Sequence, residues 1–282
     1  MKTRLLAGVI GLVIVLPLIL WSNPIGLVGL VAVALVLIQD EYAGMATHDM
    51  PHHRWLARWV LVVFGLLLFF VHTVGPGLLH LGTRSNAAQF GVGAVGILVA
   101  LVAPMLLVRD VTVAGTLAVR LGFGIFYAPF LMAPLVWIRF GHQGIVLIFF
   151  LLCATWLGDT GAYFAGRFFG KRPLLPRVSP NKTVEGVIGG AVAAMIGCAV
   201  VKLVALPEMS WIEVLAMGLV LDLCGVLGDL AESMLKRAWG VKDSGWIMPG
   251  HGGILDRVDA LLFSAPIFYA WLALTHPNLW AF

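Results

Sequence analysis

Chemistry concentrates in the stretch from Asp222 to Asp259, where six acids alternate with four bases. The acids are Asp222, Asp229, Glu232, Asp243, Asp256 and Asp259, and the bases are Lys236, Arg237, Lys242 and Arg257. Asp229, Glu232 and Ser233 stand three and four residues apart, a spacing that lets helical side chains converge. Asp256 and Asp259 form a second close pair. Two carboxylate groups from two helix ends make an oxygen site suited to Mg²⁺. Fixed cations among those acids suit a metal–polyphosphate complex better than a bare cation. Gly252 and Gly253, after His251, allow close backbone approach just before a helix start, where free N–H groups favour anions.

A second constellation runs from Trp156 to Tyr163 and from Ser179 to Gly186, and contributes Asp159 and Lys182. Ser179-Pro180 predicts an N-cap and first-turn pair for the following helix. Such a helix would aim its N–H groups and Lys182 at a phosphate.

The elements that must position these groups are set by composition. The 282 residues are 61% hydrophobic, with a mean hydropathy of +1.00, and only 11% are charged. Soluble domains carry roughly 25% charged residues, so a soluble enzyme, a disordered chain and a coiled coil are excluded. The expected fold is an all-α polytopic integral membrane protein. Apolar runs near 4–22, 24–39, 55–74, 87–108, 112–138, 144–166, 184–206, 211–230 and 254–275 match the ~20 residues a span needs. That predicts nine transmembrane helices. The short second run and Arg120 within the fifth leave eight or ten as alternatives. The apolar run to Trp21 lacks a small-residue cleavage site and reads as an uncleaved first span.

With the N-terminus cytoplasmic, nearly all Lys and Arg fall inside, and only Arg84, Arg139 and Lys202 lie outside. Positive-inside topology therefore explains the net charge of +4 without nucleic acid as a partner. Both constellations then face the cytoplasm. Residues 1–143 read as transmembrane scaffold and 144–282 as the catalytic region. Cys153, Cys198 and Cys224 lie in apolar runs and read as small buried hydrophobes.

Ser233-Met-Leu-Lys-Arg, Lys242-Asp243-Ser-Gly and Pro249-Gly-His-Gly-Gly-Ile-Leu-Asp-Arg-Val-Asp259 together resemble the signature of phosphatidate cytidylyltransferases, the CDP-diacylglycerol synthases. The two segments of the second constellation also resemble members of that family. The first half is similar only in hydropathy, and Met248 stands where the family usually has Leu or Ile. The resemblance implies transfer of CMP from CTP to phosphatidic acid, giving CDP-diacylglycerol and pyrophosphate. It further implies Mg²⁺ as cofactor, membrane lipids as surroundings and a homodimer. The enzyme would sit in the bacterial inner membrane with its active site facing the cytoplasm. A prenyl-ether phosphate acceptor is the alternative within the family, and an ion or metabolite transporter is the alternative from another class.

On this reading Asp229 and Asp256 are the leading metal ligands. Asp259 and Glu232 either join them or orient a ligand or a lysine. Lys182, Lys236, Arg237, Lys242 and Arg257 are expected to hold phosphates, with Asp243 assisting. His251 reads as a loop-shaping or phosphate-contacting group, or as a general acid for pyrophosphate. Ser179 and Ser233 touch lipid phosphate or nucleotide, or only cap and pack. Asp159 is expected to contact substrate. Asp222, about 16 Å into its span at 1.5 Å per residue, reads as a cavity-lining or helix-contact group. His48, Asp49, His52 and His53 read as a polar loop rather than a metal set. Arg120 has no assigned role beyond snorkelling or facing a cavity.

Overall fold

The computed structural model describes residues 13, 15–21, 23–73, 83–247 and 252–276. Eight helices among the described residues are long and apolar enough to cross a membrane. The all-α polytopic architecture follows from the solvent: in hydrocarbon a helix satisfies its backbone polar groups within its own segment. These eight match the expected second to ninth spans, and the expected first, 4–22, falls largely outside the described residues. Large apolar side chains such as Leu203, Val204 and Ile212 are more than two-thirds exposed on the span surfaces, as a lipid-facing surface requires.

The chain forms two compact units, Met1–Val136 with Ala238–Arg257, and Trp137–Arg237 with Val258–Phe282. The first contains α1 (Ile25–Ala46), α2 (Arg54–Thr73), α3 (Thr83–Leu107) and most of α4 (Val111–Phe140). Its core packs Leu35, Ile38, Leu61, Leu121 and Ile125, all fully buried. Asp110 caps α4, its Oδ1 accepting the N–H groups of Thr112 at 2.8 Å and Val113 at 3.1 Å.

Helix α1 runs seven residues beyond the expected end at 39. The polar residues that suggested a terminus instead find partners. Gln39 Nε2 donates to the Gly124 carbonyl at 3.1 Å, and Tyr42 donates to the Arg120 carbonyl at 2.9 Å. Arg120 is explained by the end of the same helix. Its Nη1 donates to the Ala46 carbonyl at 2.6 Å, satisfying a terminal acceptor. The same guanidinium pairs with Asp49 and lies over the Trp239 ring, 5.7 Å from its centroid. Asp49 belongs to the polar loop read from its histidines, and Arg120 holds its carboxyl below the usual carboxylate range.

After the last turn of α4, the second unit continues with one span made of α5 (Gly144–Leu152), a π-helical turn (Cys153–Leu157) and α6 (Gly158–Phe169). An antiparallel hairpin of β1 (Pro173–Leu175) and β2 (Ser179–Thr183) leads into α7 (Val184–Ala205). Helices α8 (Trp211–Ala238) and α9 (Leu255–Thr275) follow, the first turn of α9 belonging to the first unit. Helices α6 and α7 approach at backbone distance, and a Cβ on Gly189 would stand 2.1 Å from that of Ala165. Small residues at such a crossing are how apolar helices associate inside a membrane. Phe150 and Phe268 stack at 5.3 Å, and Ser264 bridges α9 to the Leu221 carbonyl of α8 at 3.0 Å. The three cysteines are free thiols, with Cys198 fully buried.

The expected Ser179-Pro180 cap is corrected. Both residues lie in β2, and Thr183 caps α7 by accepting the Gly186 N–H at 3.1 Å. Proline is tolerated in an edge strand, where no partner needs its missing N–H. Glu185, in the first turn, accepts from the Lys171 and Arg172 N–H groups and from the Arg172 guanidinium, tying the hairpin to the helix.

Candidate active site

In the second unit Asp229 is the centre of a polar cluster. Its Oδ2 pairs with Lys182 Nζ at 2.6 Å, and its Oδ1 accepts from the Ser233 hydroxyl at 3.2 Å. The strand therefore brings Lys182 to the helix end that carries Asp229. Helix α8 continues to Ala238, eight residues past its expected end. That extension puts Glu232, Ser233, Lys236 and Arg237 on ordered helix. Glu232 is fully buried and pairs with Lys236 at 3.0 Å, one turn on. Arg237 is exposed at the same helix end.

Asp259, on α9, lies in the field of Asp229 and Asp159, with Lys236 as the opposing cation. Three helices thus contribute like charges to one neighbourhood. Asp159 sits in the first turn of α6, directly after the π-helical turn. Asp222 is buried where α6, α7 and α8 meet. Its Oδ1 lies against Gly158 and Gly190, and Asp159 and Lys182 are its charged neighbours. The helix-contact reading of Asp222 therefore stands beside a direct electrostatic link to the cluster. Ser179 is half-buried in β2, three residues before Lys182.

In the first unit Asp256 is the centre. Its Oδ2 accepts three hydrogen bonds, from the Ser244 N–H at 3.1 Å, the Ser244 hydroxyl at 2.7 Å and the Gly253 N–H at 2.7 Å. The segment holding Lys242 and Asp243 is thereby fastened to the start of α9, with both side chains exposed. Arg257 is exposed on the same turn. A cavity of about 160 Å³ lies alongside, lined by Asp40, Glu41, Arg54, Asp243, Ser244 and Trp246 among others. His251 lies outside the described residues.

Glu41 is the residue that the motifs did not reveal. It is buried in α1 and accepts the Ile254 and Leu255 N–H groups at 2.9 Å each. The only signal in the sequence was an acid pair, Asp40-Glu41, ending an apolar run. Such a pair equally marks a span end. Asp40 is that bland case, paired with Arg58 at 3.0 Å.

Among the described residues no three His, Cys, Asp or Glu side chains gather in metal-ligating geometry. Mg²⁺ does not require that, because it binds through one or two carboxylates and substrate phosphates while keeping several waters. Each unit offers hard carboxylate oxygens of the kind such an ion takes, Asp229 and Asp259 in the second and Asp256 in the first. Glu232 is turned to Lys236.

The sequence pattern of the cytidylyltransferase family matches residues 2–275. A phosphatidate cytidylyltransferase of Bacillus subtilis (strain 168) is 50% identical over 133 residues, 47% of this chain and 49% of that protein. One from Brucella suis biovar 1 (strain 1330) is 47% identical over 153 residues, 54% of this chain and 56% of that protein. One from Staphylococcus aureus (strain COL) is 31% identical over 276 residues, 95% of this chain and 97% of that protein. The chain thus spans about half the length of the first two relatives and nearly all of the third. With the family pattern running across almost every span and both polar clusters, the chain belongs to the cytidylyltransferase family.

Proposed function

We propose that the protein is a phosphatidate cytidylyltransferase, a nucleotidyltransferase of phospholipid synthesis. The observation that carries this reading is the 2.6 Å Lys182–Asp229 pair, a cation able to meet a phosphate beside a carboxylate able to meet a metal ion, at one helix end. The relatives' names support it. In the reaction a phosphatidate oxygen attacks the α-phosphorus of CTP, forming a P–O bond. The bond from that phosphorus to the bridging β-phosphate oxygen breaks, and pyrophosphate leaves. The attacking oxygen is already anionic, so in-line positioning and charge neutralisation matter more than a strong base.

Each residue has a role on this reading. Lys182, Lys236, Arg237, Lys242 and Arg257 neutralise and orient phosphates. Asp229, supported by Asp259, and Asp256 are the carboxylates that would hold Mg²⁺, each within its own unit. The bound ion supplies charge neutralisation to the triphosphate. Glu232 positions Lys236, Asp243 assists Lys242, and Ser233 orients Asp229. The lipid stays in the bilayer while CTP is water-soluble, so the chemistry belongs at the cytoplasmic interface of a bacterial inner membrane. The assembly is a homodimer on family resemblance.

Purified protein given radiolabelled CTP, phosphatidate and Mg²⁺ should form labelled CDP-diacylglycerol. No product with phosphatidate, and none with a prenyl-ether phosphate, would remove the reading. Product with the ether lipid alone would change the acceptor.

A further inference from the structure

We propose that Glu41, in the first quarter of the chain, is a positioning residue for the cytidylyl-transfer site, holding Asp256 and the start of α9 in working geometry. The inference rests on the proposed function and deepens it. Everything it uses lies within the first compact unit.

Glu41 is 4% exposed, and a charge so buried is expensive unless it is well partnered. Its partners are specific. Oε1 accepts the Ile254 N–H and Oε2 the Leu255 N–H, both at 2.9 Å. These are consecutive donors at the start of α9, a place where helices have no acceptors of their own. An acid there also meets the positive end of the helix dipole. Glu41 thus acts as an N-cap supplied by a distant helix, 214 residues away along the chain.

The second link runs through Ser244. Its hydroxyl is 2.7 Å from Asp256 Oδ2 and 3.3 Å from Glu41 Oε2, so one side chain sits between the two carboxylates. Asp256 Oδ2 also accepts from the Ser244 and Gly253 N–H groups. Three donors on one oxygen fix the rotation of the Asp256 carboxylate. Two of the three come from Ser244, whose place Glu41 helps to set.

The third observation is steric. A Cβ on Gly245 would lie 2.7 Å from the Glu41 carboxylate oxygen, and one on Gly253 would lie 2.4 Å from the other. The glycines of the Ser-Gly and Gly-Gly steps are therefore the space into which this carboxylate fits. The motif read from residues 242–259 has its counterpart in α1.

The test compares Glu41→Gln, Glu41→Asp and Ser244→Ala with the parent protein in detergent. Glu41→Gln replaces one acceptor by a donor that faces a backbone N–H. Groups behind a metal ligand typically carry 10–100-fold of affinity or activity. The expected result is a kcat about 10–100-fold lower, with the half-saturating Mg²⁺ concentration raised and KM for CTP within threefold. Mn²⁺ binding without substrate, read by electron paramagnetic resonance, should weaken in parallel. Amide exchange at Ile254 and Leu255 should accelerate in Glu41→Gln. Ser244→Ala should reproduce the Mn²⁺ effect while leaving those amides protected, because Glu41 remains. Glu41→Asp should recover part of the loss.

A merely structural Glu41 would instead lower the melting temperature and the active fraction, with Mg²⁺ and Mn²⁺ dependence unchanged. That outcome overturns the proposal. If Glu41→Gln does not fold, unchanged Mn²⁺ binding in Ser244→Ala overturns it too. Absence of cytidylyl transfer in the parent protein removes the proposed function, while the Mn²⁺ and amide-exchange arms still report on Glu41.

Discussion

Replacing Lys182 by Met separates the two things its ion pair can do. The Lys182 and Asp229 side chains are 24% and 36% exposed and stand 2.6 Å apart. A pair so open to solvent contributes only about 1 kcal/mol to folding. Thermal unfolding in detergent should therefore shift by no more than ~4 °C, the scale of 1 kcal/mol in a domain of 150–250 residues. Losing a cation that neutralises charge developing on a phosphate costs about 2.7–4 kcal/mol, or 10²–10³-fold in rate. Labelled-CTP turnover should fall by that factor with the protein intact. Lys182→Arg keeps the charge but changes its shape, so an intermediate loss of about tenfold is expected. The double variant Lys182→Met/Asp229→Asn should be no better than the worse single variant. Two results would refute the reasoning. One is turnover within threefold of the parent in Lys182→Met. The other is activity restored in the double variant, which would reduce the pair to a structural contact.

Other expectations follow from the same geometry. Lys236→Met leaves Glu232 buried beside an apolar neighbour and should destabilise by about 3–5 kcal/mol; adding Glu232→Gln should recover most of the loss in a denaturant titration. Gly189→Leu drives a side chain into α6 and should cost at least 1–3 kcal/mol by overpacking, read as a lower melting temperature. Arg120 holds the Asp49 carboxyl below its usual range. That contribution is complete above the unfolded-state value, near ~3.9, and disappears as pH falls through the lower folded-state one. Stability measured from pH 6 to pH 3 should fall more steeply in the parent than in Arg120→Met. With Asp49 half-exposed, the difference should be about 1 kcal/mol or less.

Hydropathy located the spans because lipid imposes length and apolarity on every one of them. It misplaced two ends for one physical reason. Helices α1 and α8 continue through polar residues that are satisfied by neighbours, Gln39 and Tyr42 by carbonyls of α4 and Glu232 by Lys236. Periodicity identifies candidates for partnership but not the partner. Asp229 and Ser233 were legible as one helix face. Lys182 was expected in the first turn of a helix and lies in a strand instead, because Thr183 rather than Ser179 caps α7. Glu41 was not legible at all. Its partners are backbone N–H groups more than 200 residues distant, and backbone leaves no mark in composition. Arg120 is similar, since the Ala46 carbonyl that it caps has no sequence signature.

The π-helical turn at Cys153–Leu157 has a consequence for how Asp159 came to face its neighbours. A π turn accommodates one additional residue in an otherwise α-helical span, and each residue rotates the helix by roughly 100° at 3.6 residues per turn. Deleting one residue between Cys153 and Leu157 would rewind the span to uniform α geometry. Because the π turn absorbs that residue's rotation, Gly158 would stay against Asp222. With the residue kept but the segment wound as plain α-helix, everything beyond it would turn by about 100°, carrying Gly158 off Asp222. The direction of Asp159 is thus set by how five residues upstream are wound, as well as by how many they are.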